Sequence, residues 1–258
     1  MPDLKLSLCS LKLRLETDDA RFIAAARRRY AAFLTGGAAD LDVNVSLYDE
    51  AFGPFREEPV VAGDGRAWRV MRHDLDLELV PGLVRGVLLR TPAALDSLLR
   101  IVLSFELLKR GGFLCHAAAV DGWLFPGISG AGKSTLGVLA PLKRLLADEL
   151  VGVLGTTLWG TPFRGDFKIG RNNVSRPLEA VVLLDRRAPR GVVPVSKAAA
   201  MAMLLRCALC FAGDAPTGRR LLQAARRCVV SSPTLRLSYD ARRTPFSAVE
   251  RGIREALK

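Results

Sequence analysis

The first apolar residues of the chain alternate strictly with polar ones: Leu4, Leu6 and Leu8 against Lys5, Ser7 and Cys9, followed by Leu11, Leu13 and Leu15. This period of two predicts a half-buried strand over 4–15. Asp18 and Asp19 then mark a helix start, and apolar residues at helical spacing carry it through 19–34 to Gly36-Gly37, where glycine reaches the left-handed conformation that ends helices. Leu41, Val43, Val45 and Leu47 restore the alternation of a strand over 41–48, and 66–90 reads as two or three more strands broken at Pro81-Gly82. These strands predict one antiparallel sheet. Thr91-Pro92 opens a helix that runs to about Lys109 and stops at Gly111-Gly112.

Beyond residue 112 the pattern changes. The runs 113–120, 123–126, 144–147, 151–154 and 180–184 are short and almost wholly apolar, as strands covered on both faces are. Residues 196–211 and 216–229 predict helices, 234–239 a strand and 246–257 a terminal helix. The expected organisation is a smaller α+β domain over 1–110 and an α/β domain over 111–258.

Composition narrows the class. Half of the 258 residues are hydrophobic and a quarter charged, the profile of a protein with a sizeable core. The net charge of +12 comes from short arginine clusters such as Arg186-Arg187, Arg219-Arg220 and Arg226-Arg227, which make a surface that attracts anions. The clusters lack interleaved aromatics and recognition-helix patterns, so a nucleic-acid partner is disfavoured. Arg219-Arg220 and Arg226-Arg227 read as the solvated face of one helix. Five cysteines are too few and too dispersed for a disulfide scaffold. Cys207-x-x-Cys210 lies in an apolar helical stretch with no second pair, and reads as core. The N-terminus shows no basic stretch leading into an apolar one, and no run reaches the roughly 18 apolar residues of a membrane span. The expectation is a cytoplasmic protein with no membrane partner.

The chemistry concentrates at residues 127–134, Gly-Ile-Ser-Gly-Ala-Gly-Lys-Ser, which match the phosphate-loop pattern G-x-x-x-x-G-K-[ST] between a predicted strand and a predicted helix. Glycines let the backbone of Gly127, Ser129, Gly130, Ala131, Gly132 and the following Thr135 curl so that successive amides face one phosphate. Lys133 then reaches the terminal phosphates, and the Ser134 hydroxyl is placed for a magnesium ion. The same residues spell a G-x-x-G-x-G run, but the adjacent Lys-Ser argues against a dinucleotide. Phosphoryl transfer also needs a carboxylate. Asp148, with Glu149 beside it, ends one short strand; Asp185 ends the run Val181-Val182-Leu183-Leu184. Spacing alone leaves both open.

The string His116-Ala-Ala-Ala-Val, then 127–135, then Leu146-Ala147-Asp148-Glu149, resembles the catalytic core of the HPr kinase/phosphorylase family, whose enzymes are similar in fold to phosphoenolpyruvate carboxykinase. The likeness is specific over about 113–150. Gly160-Thr161-Pro162-Phe163 and Leu204-Leu205-Arg206-Cys207 resemble the smaller members found beside peptide-tailoring genes, while the C-terminal Pro-Gly-Arg-Asn-type segment associated with phosphorolysis is absent from the sequence. The resemblance implies a P-loop kinase domain that uses ATP and Mg²⁺ to phosphorylate a hydroxyl, serine in particular, of a protein or peptide. It assigns catalysis to His116, Lys133 and Asp148, with Asp148 as base, and gives metal roles to Ser134, Glu149 and Asp166. Acceptor recognition or assembly into a homo-oligomer is left to the N-terminal domain. A nucleotide-switched binding protein and a small-molecule kinase are the competing expectations.

Overall fold

In the computed structural model, which describes residues 1–165, 172–240 and 242–258, the first apolar alternation folds back on itself. Strand β1 (Asp3–Leu8) and strand β2 (Leu11–Glu16) form an antiparallel hairpin instead of the single strand expected over 4–15. Cys9 and Ser10 at the tip both have positive φ, 51° and 66°, the left-handed pair that a two-residue turn needs to match the twist of its strands. The apolar residues shift from even to odd positions across this turn, so Leu4, Leu6 and Leu8 and Leu11, Leu13 and Leu15 are all fully buried together.

The Asp19 carboxylate accepts hydrogen bonds from the amides of Arg21 and Phe22 and so caps helix α1 (Ala20–Arg29), which ends earlier than the sequence predicts because a short 3₁₀ turn replaces its last part. Next come β3 (Leu41–Tyr48), β4 (Val60–Gly63), β5 (Trp68–Arg72), β6 (Leu75–Val80), β7 (Leu83–Leu89) and helix α2 (Pro92–Lys109). The sheet order is β1-β2-β3-β7-β6-β5-β4. It is mixed, not antiparallel as expected: β3 runs parallel to both β2 and β7. The physical reason is the connections, since α1 carries the chain over from β2 to β3, and the β4–β6 meander separates β3 from β7; parallel neighbours need such long crossovers.

The second sheet is built from β8 (Gly112–Val120), β9 (Trp123–Pro126), β10 (Leu145–Ala147), β11 (Leu150–Leu154), β12 (Thr157–Trp159), β13 (Ser175–Pro177), β14 (Ala180–Leu184), β15 (Gly191–Pro194), β16 (Ala208–Leu209) and β17 (Thr234–Ser238). Helices α3 (Lys133–Leu139), α4 (Lys197–Cys207), α5 (Ala215–Ser231) and α6 (Phe246–Ala256) accompany it. The main path is β13-β12-β11-β8-β9-β14-β17-β15, with β10 and β16 also paired to β8. Trp123 and Phe125 of β9, Val182 of β14 and Leu237 of β17 pack with Leu136 of α3 and with Val249 and Ile253 of α6 in one buried cluster. This anchors the end of β9, and the loop that follows it, to a rigid layer.

The protein is thus a mixed α/β structure with two sheets. Its compact units are Met1–Glu106 with Cys210–Gly218, and Leu107–Leu209 with Arg219–Lys258, the division falling within α2. The helix expected over 196–211 ends at Cys207, which is buried, and β16 follows; Cys210 lies in the other unit. Arg219, Arg220, Arg226 and Arg227 are exposed on α5. Among the described residues, no helix is long and apolar enough to cross a membrane.

Ser10 is exposed and holds a left-handed conformation that only glycine adopts without cost. Ser10→Gly is expected to raise unfolding stability by roughly 0.5–1 kcal/mol, read as a higher midpoint in urea with an unchanged slope.

Candidate active site

Strand β8 changes neighbours halfway along. Its first half pairs with β11 and β16, where Val151 faces Cys115 and Ala208 also faces Cys115. Its second half pairs with β9 and β10, where Ala117 faces Pro126 and Ala119 faces Ala147. The change falls at His116. There the Gly127 amide donates to the His116 carbonyl (3.3 Å), and the Ala117 amide donates to the Glu149 carbonyl (3.1 Å). Backbone pairing therefore brings the start of the 127–134 loop and the Asp148-Glu149 pair to the same point on one strand.

The loop is built as its glycines require. Gly130 and Gly132 have φ of +80° and +104°, and Gly132 starts α3 in the left-handed region with no side-chain cap. The first-turn amides of α3 have no acceptor within the helix. Gly127 packs so closely that a Cβ there would lie 2.8 Å from the Ala131 Cβ. Lys133 is only 5% exposed and donates to the Ile128 carbonyl at 3.0 Å, a bond that holds its ammonium over its own loop. Burial pushes the Lys133 pKa down, and the nearby Glu149 charge opposes that.

A cavity of about 280 Å³ opens here. Its walls bring together His116, Ser129, Gly130, Gly132, Lys133, Ser134, Thr135 and Glu149. The His116 Nε2 lies 4.0 Å from a Glu149 carboxylate oxygen. Sequence reasoning missed one further wall residue, Arg186: a Cβ on Gly132 would meet its guanidinium at 3.1 Å. In the sequence Arg186 belongs to an unremarkable surface pair. The available signal was its place two residues past the end of β14, the parallel neighbour of the strand that feeds the loop.

Asp148 is fully buried beside this cavity. Its Oδ1 accepts weakly from the Gly165 amide at 3.5 Å, and its Oδ2 is buried with no hydrogen-bond partner among the described residues. Gly165 covers the acid pair so tightly that a Cβ there would lie 3.1 Å from Asp148 Oδ2 and 3.2 Å from Glu149 Oε2. Desolvation is the main reason the Asp148 pKa rises from the ordinary 3.8 to about 6; the Glu149 charge adds to it, while the Gly165 amide and the Arg164 charge work against it. Asp185, the competing carboxylate, accepts from the amides of Arg187 (2.9 Å) and Ala188 (3.3 Å). That is a turn-forming role at the end of β14. Asp166 lies outside the described residues. Among those residues no three His, Cys, Asp or Glu side chains gather as a preformed metal cage. The Ser134 hydroxyl and Glu149 carboxylate, which line the same cavity, are nonetheless the kind of hard oxygen donors that suit a magnesium ion sharing its shell with phosphates.

No protein-family model matches this chain, and no curated protein matches it.

A carboxyl with a folded-state pKa near 6 and an unfolded one near 3.8 binds its proton more tightly in the folded protein, so its contribution to stability is lost as pH rises through 6. Asp148→Asn removes the charge and is expected to raise unfolding stability by about 1–3 kcal/mol at pH 8. The gain is still about half as large at pH 5 and shrinks towards zero only below the unfolded pKa of 3.8, which parallel urea titrations at pH 8, 5 and about 3 would reveal.

Proposed function

We propose that this protein is a kinase that transfers the terminal phosphoryl group of ATP to a hydroxyl of a peptide or protein acceptor. The observation that carries the reading is the buried, half-satisfied Asp148 next to a cavity walled by Lys133, Ser134 and Arg186. A general base works best when its pKa lies near the working pH, and burial moves an ordinary carboxylate towards that range. The phosphate loop supplies the other half of the reaction: anion-binding amides and a lysine that neutralise charge on the moving group.

In this reading the second unit is a P-loop kinase domain of the phosphoenolpyruvate-carboxykinase-like kind. The amides of the loop and Lys133 hold the phosphates, and Arg186 adds a second positive charge beside Gly132 of the loop. Ser134 and Glu149 are the residues that hold a magnesium ion, which when bound supplies further charge to the phosphates. Asp148 takes the proton of the acceptor hydroxyl as that oxygen attacks, and His116 beside Glu149 orients the acid pair. Gly165 above the two carboxylates excludes bulk water from them. A serine acceptor follows from the HPr-kinase resemblance of 113–150, and the first unit is the natural place for acceptor recognition or self-association.

The test follows label from γ-labelled ATP, with magnesium, into proteins and peptides encoded near the gene. Label on serine is expected, lost by at least about 10²-fold in Lys133→Ala and in Asp148→Asn. Near-normal transfer by Asp148→Asn together with none by Asp185→Asn would remove Asp148 from its role. Release of free phosphate with no labelled acceptor would favour a nucleotide-switched binding protein.

A further inference from the structure

Strand order divides the surroundings of the phosphate loop into two sides. His116 lies in β8, and the Asp148-Glu149 pair links β10 to β11, both of which pair with β8, on one side of β9. On the other side β14 and β17 run parallel to each other and to β9, in the order β9-β14-β17-β15. A nucleotide whose terminal phosphate faces the acids must therefore lead its ribose and base the other way, across the carboxyl ends of β14 and β17, where open α/β sheets take their ligands. Strands lie about 4.8 Å apart, so the end of β17 is about 10 Å from the end of β9. A ribose and its first phosphate span that kind of distance.

A cavity of about 160 Å³ lies there, and its lining includes Val192, Leu237 and Val249 together with Ser238, Tyr239, Thr244 and Arg190. Its size is below the roughly 300 Å³ of a pocket for a whole ligand and suits one part of a molecule. A lining of apolar side chains with a few hydroxyls among them fits a flat heterocycle that has two apolar faces and a polar edge. The Ser238 hydroxyl is already committed, donating to the Ala188 carbonyl at 2.8 Å. Thr244 and Tyr239 are the other hydroxyl-bearing residues of the lining. Arg186 lines the first cavity, with its guanidinium beside Gly132 in the phosphate loop, and its charge acts on the half-buried Tyr239 of the second.

We propose that this second cavity is the base subsite of the nucleotide, in which a purine seats against Tyr239 while Arg186 spans the interval to the phosphates. The inference rests on the phosphate-loop reading above. Nothing in the phosphate loop itself selects ATP over any other polyphosphate, so a base subsite is what would give the protein a nucleoside preference.

Calorimetric titration with magnesium-ATP and with magnesium-tripolyphosphate, which has the phosphates and no base, separates the two readings. Tyr239→Ala is expected to weaken ATP binding about tenfold, the loss of one aromatic–base stack, and to leave tripolyphosphate unchanged. Tyr239→Phe keeps ATP binding within about twofold, because the ring remains. Val192→Phe, which fills the cavity from β15, reproduces the selective loss and serves if Tyr239→Ala fails to fold. Lys133→Ala weakens both ligands. Unchanged ATP binding in Tyr239→Ala and Val192→Phe, or an equal loss of both ligands, overturns the base subsite. Wild-type protein that binds ATP no tighter than tripolyphosphate overturns it too, with the phosphate site intact. Wild-type protein that binds neither ligand overturns the phosphate-site reading and the base subsite together.

Discussion

Strand β8 must satisfy backbone groups on both of its edges, and no single neighbour runs its full length. Backbone amides and carbonyls buried without partners are costly, so every residue of β8 that loses β11 or β16 must gain β9 or β10. That exchange at His116 fixes where the loop after β9 begins and where the chain between β10 and β11 turns. Asp148 and Glu149 occupy that turn because the two strands flanking them both pair with β8. The site is thus a consequence of sheet bookkeeping before it is a matter of side chains.

The energetics of the site then run against stability. Gly165 seals a carboxyl from water and gives it one long hydrogen bond, where a structural aspartate such as Asp185 gets two well-placed amides. Asp19 is another structural case: the amides of Phe22 and Arg21 hold its pKa below the ordinary value. The contrast places the strain at one acid out of three, the pattern expected where reactivity is kept at the expense of stability. The same holds for Lys133, buried and, among the described residues, bonded to the carbonyl of its own loop. A polyanion in the cavity would relieve the lysine by giving it a counter-charge.

Much of this was legible in the residues. The loop from Gly127 to Ser134 combines glycines, lysine and serine at a spacing that has few other uses, and the buried strands of the second sheet announce themselves as unbroken apolar runs. The hairpin at Cys9-Ser10 was also written in the sequence, as a change in the parity of the leucines, but its turn uses none of the glycine or asparagine that usually marks such a turn. The edge strands β4, β13 and β15, the three-residue β12 and the two-residue β16 are too short to carry a period. The parallel placement of β3 depends on connections that no local pattern encodes. Arg186 was hidden for a similar reason: only the pairing of β14 with β9 turns one arginine of a surface pair into a wall of the phosphate cavity.

The central claim is that Asp148 acts as the base, and the pH dependence of the first turnover tests it most directly. With saturating magnesium-ATP and a labelled acceptor, the rate is expected to fall below about pH 6 in proportion to the loss of ionised Asp148, because burial has raised its pKa to that value. Asp148→Glu should keep an acidic limb at a displaced pH. A rate that stays level down to pH 4.5, or an acidic limb that survives unchanged in Asp148→Asn, would contradict the account.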